Sequence, residues 1–223
     1  KNGEVLFLNK QKDSSFLGTV TGSDIFHCVW TKPPKISNFL WNKLMNREVV
    51  LDALENIPPV YCIIAEDLLF FFFISRCSKL YVGIDFTSYY YCVNTGVTSH
   101  TKIESLERWK HVCSVSAVFT VLFDWHNEQE NLTGVSPLEH EELENLRNTA
   151  VGYLQSNLIQ FNAEVLPELK EEAHKMLEEF WGKSLVSRVE SQMKKNEKKT
   201  EPKNAREKCA EPSDKIEQNK IKM

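Results

Sequence analysis

His111, Cys113, Asp124 and His126 are the side chains in this sequence best suited to bind a metal or move a proton. On an extended chain His111 and Cys113 share a face, as i and i+2 neighbours do. With Asp124 and His126 they form a group from which an enzyme could be built. Zinc sites use tighter, repeated Cys/His spacing, so ordinary polar residues at strand ends are the favoured reading, and an enzyme built on these four ranks last of three functional readings. His27 and Cys28 are adjacent, which on a strand points them to opposite faces and removes them as a nucleophile–base pair. His140-Glu141 opens the string HEELE, where Glu144 stands at the position a zincin fills with its second histidine. Acidic residues there complement the dipole of a starting helix.

The eight glycines form no GxGxxG, GxxxxGK[ST] or GxSxG string, which removes the main supports for dinucleotide, P-loop and serine-hydrolase chemistry. No catalytic residue, cofactor or metal is expected, and the balance leans away from an enzyme. Tyr89-Tyr90-Tyr91, with Trp30, Trp41, Trp109 and Trp125, supply aromatic faces on which bases could stack, Tyr89 and Tyr91 first among them. Stacking platforms are flanked by Arg and Lys, whereas the nearest charge here is Asp85, so half-buried packing is the plainer expectation.

The net charge of −4 over 223 residues is unevenly placed. Residues 194–223 carry ten Lys/Arg against six Asp/Glu, leaving seventeen against twenty-five in the rest. An acidic body does not attract phosphate backbones broadly. The six cysteines form no CxxC pair, and five sit in apolar runs as small hydrophobes. That pattern suits a reducing compartment, nucleus or cytoplasm. The runs Leu68–Ile74 and Val115–Phe123 are well short of the roughly 20 apolar residues that span a bilayer, so no membrane segment is expected.

Periodicity predicts the elements that would carry these residues. Glu4–Leu8, Ser15–Thr21 and Ile25–Thr31 read as strands, and Ser37–Glu55 as a helix with Phe39, Leu40, Leu44, Val49, Leu51 and Leu54 along one stripe. Val60–Ala65 and Leu68–Ser75 are near-continuous apolar runs of the kind found in central strands. Cys77-Ser78-Lys79 reads as a hairpin turn into a strand whose dry face is Leu80, Val82, Ile84 and Phe86. Tyr89–Val93 continues as strand, Lys102–Lys110 is a short helical connector, and Val115–Phe123 alternates as a further strand. Ser136 with Glu139 forms an S-x-x-E capping box with Pro137 at the first helical position. A second helix follows from about Pro167, broken at Gly182.

The fold class predicted is α+β: a mainly antiparallel sheet of about 5–7 strands, a helix inserted near 37–56 and a C-terminal helical pair at about 136–193. The domains are then a β-rich core (1–135), a helical arm packed at least partly on it (136–193), and a tail (194–223) too polar to offset its chain entropy, hence disordered. A sheet followed by a long helical arm over about residues 60–195 is similar in topology to the transducer module of GHKL-type ATPases and type VI topoisomerase B subunits. No motif accompanies that likeness, and fold analogy does not carry function.

The leading expectation is a non-enzymatic interaction or scaffold module of a larger intracellular protein, with a protein partner bound through the arm. Leu185, Val186, Val189 and Met193 would be the docking stripe if they lack a partner within the chain. The alternative is a nucleic-acid-associated domain.

Overall fold

The computed structural model describes residues 16–31, 34–85 and 102–200, with side chains up to Asn196. The molecule is mostly helical. Strand β1 (Gly18–Thr21) precedes helices α1 (Asp24–Trp30), α2 (Arg47–Leu54) and α3 (Glu66–Cys77); strand β2 (Leu80–Gly83) follows, then α4 (Leu106–Cys113), α5 (Val115–Thr133), α6 (His140–Glu164), a 3₁₀ turn (Pro167–Leu169), α7 (Lys170–Trp181) and α8 (Lys183–Thr200).

This overturns the predicted α+β fold with its sheet of 5–7 strands. Among the described residues the sheet is one antiparallel ribbon, β1 against β2, in the register Gly18↔Gly83 to Thr21↔Leu80. Three segments expected as strands are helices instead: Ile25–Thr31 falls in α1 up to Trp30, Leu68–Ser75 in α3 and Val115–Phe123 in α5. Val60–Ala65 is irregular, and of the helix expected over Ser37–Glu55 only α2 forms. Cys77-Ser78-Lys79 is no hairpin turn but the end of α3, where the Ser78 amide and hydroxyl both donate to the Ile74 carbonyl. The strands expected at Glu4–Leu8 and Tyr89–Val93 lie outside the described residues. Without the sheet, the topological likeness to a transducer module loses its basis.

The physical reason is legible in burial. In α3, Leu68, Leu69, Phe71, Phe72, Phe73 and Ile74 are all buried, and a helix dry on every side shows the same unbroken apolar run as a central strand. In α5 the buried set is Val115, Ser116, Val118, Phe119, Val121, Leu122 and His126. That is helical spacing overlaid on a chance alternation.

Phe72 stands at the middle of an aromatic cluster. Its ring meets Phe26 at 5.1 Å and 89°, Trp30 at 5.5 Å, and Trp125 at 5.4 Å and 79°, the edge-to-face geometry that the ring quadrupole favours. Three helices are joined this way: α1, α3 and α5. The Arg76 guanidinium closes the cluster, lying 4.9 Å from the Phe26 centroid and 4.6 Å from that of Trp125. Its Nη1 donates to the Pro137 carbonyl at 3.2 Å. Burial against those rings lowers its pKa, and the nearby Glu142 carboxylate opposes that shift.

The C-terminal helices join the same core, which runs without interruption from Val20 to Val189. Asn145 of α6 donates to the Trp30 carbonyl at 2.7 Å. Trp181 Nε1 donates to Asn157 Oδ1 at 3.0 Å, tying α7 to α6. Ile103 bridges to Val165 in parallel, pinning the segment before α4 to the end of α6.

Helix α6 begins later than expected. The N-cap is Glu139, not Ser136: a capping box forms between Glu139 and Glu142, with the Glu139 amide donating to Glu142 Oε2 at 2.9 Å. The Ser136 hydroxyl instead donates to the Leu138 carbonyl at 2.7 Å, a local turn bond of the kind that competes with helix starts. The break at Gly182 falls where the sequence places it. Its φ of +81° is one that side-chain-bearing residues rarely adopt, and it separates α7 from α8. Helix α8 then runs to Thr200, so residues 194–200 are helical rather than the start of a disordered tail. Residues 201–223 lie outside the described set.

Candidate functional site

The four residues assembled on paper as a metal or acid–base group are not brought together. His111 and Cys113 lie on α4, where i and i+2 are turned by about 200° and no longer share a face. Helix α5 starts at Val115, so His126 stands about 16 Å along its axis from that start. His111 Nε2 is 3.4 Å from Glu107 of its own helix. Cys113 is wholly buried, and burial pushes its thiol up to about 12, which leaves it inert as a nucleophile. Asp124 is exposed. His126 is buried with Nδ1 unbonded and Nε2 3.9 Å from Glu130. Among the described residues no three His, Cys, Asp or Glu side chains converge as metal ligands.

The expected docking stripe on α8 has a partner within the chain. Val186 and Val189 are buried, and Leu185 and Met193 are half-buried against the same core. The helical period that marked them was sound, but it points them at α6 and α7. His174 of α7 reinforces the contact, with Nε2 3.1 Å from Glu190 Oε1 on α8. Tyr89 and Tyr91 lie outside the described residues.

What sequence reasoning missed is the loop ahead of α2. Its entry is anchored, because Ile36 and Ser37 are buried. The chain then reverses through Asn42 at φ +60°, a conformation asparagine tolerates better than most residues. Lys43 clasps the loop from within. Its ammonium donates to the Phe39 carbonyl at 2.6 Å and to Ser37 Oγ at 3.1 Å, and lies 5.0 Å from the Phe71 ring centroid on α3. The clasp leaves a knuckle whose outer side is apolar. Phe39 and Trp41 stack with centroids 4.8 Å apart and planes 18° from parallel. Phe39 is 42% exposed, and Leu44 is fully exposed at 105% of its reference area.

Helix α2 follows directly, capped by Asn46 whose Oδ1 accepts from the Glu48 amide at 2.8 Å. It adds Leu51 and Leu54, each about two-fifths exposed and three apart, hence on one side of the helix. The sequence held a signal. A helical stripe placed Phe39, Leu40 and Leu44 in the core, yet Asn38, Asn42 and Asn46 crowd that stretch with residues that favour turns and caps. No family model, curated protein or solved structure matches this chain. No helix of the described residues is long and apolar enough to cross a membrane.

Proposed function

We propose that the chain is a protein-interaction module, and that the knuckle from Phe39 to Leu44, with Leu51 and Leu54 beside it, is its contact surface. The observation that carries the reading is Leu44, a fully exposed leucine next to a stacked aromatic pair on a backbone clasped by a buried-side lysine. Aromatic residues are enriched among those that dominate interface energies, and a backbone ordered before binding loses little conformational freedom on docking. Leu44 projects fully from the fold, so the partner it fits presents an apolar pocket with a polar rim. The scaffold reading stands on this surface in place of the α8 stripe.

The test compares capture by the wild-type chain with capture by Phe39→Ser/Leu44→Asp, using Ile159→Ser, which alters another exposed apolar residue, as the control. The double variant loses a partner that wild type and control retain, while thermal midpoints stay together. Equal capture by all three chains sinks the proposal.

A further inference from the structure

The solvent face of α8 carries a second kind of surface. At 100° per residue, Arg188, Lys194 and Lys195 fall within an arc of about 120°, and no acidic residue shares it. Val186 and Val189, which are buried, and Met193, which is half-buried, centre on the opposite side, and Glu190 flanks that side. Arg188, Lys194 and Lys195 are exposed, and none forms an ion pair with another described residue. Lys175 is paired with Glu171, Arg47 with Glu48, and Arg76 lies between two rings. Helix α7 beside it has the opposite balance, four glutamates against two lysines. The segregation is therefore local, and it is invisible in a net charge of −4.

We infer that this ridge binds the phosphate backbone of duplex nucleic acid. Three features select that partner. An amphipathic helix binds a lipid surface by burying its apolar face, but Val186 and Val189 are already buried in the core. Single strands are held by stacking on aromatic side chains, and α8 has none. From Arg188 to Lys195 the ridge is about 10 Å long, the distance over which one strand of a duplex presents about three phosphates. Contacts of this kind fix position without reading sequence.

The experiment titrates the full chain against a labelled random-sequence DNA duplex from about 50 to 200 mM salt and reads the slope of log K against log salt. Arg188→Gln/Lys194→Gln/Lys195→Gln should keep wild-type helicity by circular dichroism, because all three side chains face solvent. It should lower the slope by about 2.7, or 0.9 for each contact removed, and weaken binding at least about tenfold. Lys215→Gln/Lys220→Gln/Lys222→Gln removes the same charge outside the described residues and should leave the slope close to wild type. The inference is overturned by no duplex binding at low salt, or by equal slope losses in the two triple variants. It is also overturned if polyglutamate, vesicles rich in phosphatidylserine or a single strand bind as tightly as the duplex.

Discussion

The indole Nε1 of Trp109 donates to the Ala173 carbonyl at 2.7 Å, and both residues are wholly buried. One hydrogen bond thus joins α4 to α7 across sixty-four positions of sequence. It also orients the largest fully buried side chain at the seam between the first and second halves of the helical set. Trp109→Phe keeps most of the apolar volume and removes the bond, and should destabilise the fold by about 1–2 kcal/mol. Trp109→Ala adds a cavity and should cost about 3–5 kcal/mol. Urea unfolding followed by far-ultraviolet circular dichroism separates the two.

The start of α6 yields a paired prediction. Glu142→Ala removes the reciprocal half of the capping box and should cost about 1 kcal/mol. Ser136→Ala touches only a turn bond and should stay within about 0.5 kcal/mol. Were the helix to start at Ser136, the order would reverse, so thermal unfolding of the two variants decides the boundary.

Cys113 sets a limit at alkaline pH. Its thiol titrates near 9.0 when exposed and is pushed up to about 12 by burial in the fold. The unfolded chain therefore loses this proton first. The contribution of Cys113 to stability is whole below pH 9.0 and is lost as pH rises from there towards about 12, at a rate approaching 1.4 kcal/mol per pH unit. Cys113→Ser in the same pH series should flatten that decline, and an unchanged slope would remove Cys113 as its cause.

Lys43→Met keeps the stem over Phe71 and deletes the two hydrogen bonds of the clasp. Global stability should shift by less than about 1 kcal/mol, because the lysine is only half-buried. Amide exchange between Phe39 and Leu44 should quicken, and partner binding through the knuckle should weaken with it. Exchange as slow as in wild type would show that the loop is held by something other than Lys43.

How far the sequence could be read depended on how dry each helix is. In α7 and α8, one polar and one buried face leave a clear period, and Gly182 marks the break because only glycine takes its backbone angle easily. In α3 that contrast is gone, with Phe71, Phe72 and Phe73 buried together. Length was the better guide for α5. Nineteen residues from Val115 to Thr133 contain no glycine or proline, well beyond the usual strand length of about 3–10, and Gly134 then stops the helix at φ +70°. The face Leu80, Val82 and Ile84, expected to be dry, is more than half exposed. The ribbon buries its other side, at Val20, and period two alone does not say which face turns inward. The knuckle was the least legible feature, since its residues look like core until the Lys43 clasp shows that they face out.

The β1–β2 ribbon bears on how the chain acquires this shape. Residues 22–79 separate its strands, so no local turn can zip it. Closing so long a loop early is entropically unfavourable, whereas α1 and α3 are short-range structures that dock through Phe26, Trp30 and Phe72. Their docking is what brings Thr21 and Leu80 within reach. The ribbon should therefore close late in folding, and changes within it should quicken unfolding while leaving the refolding rate nearly untouched.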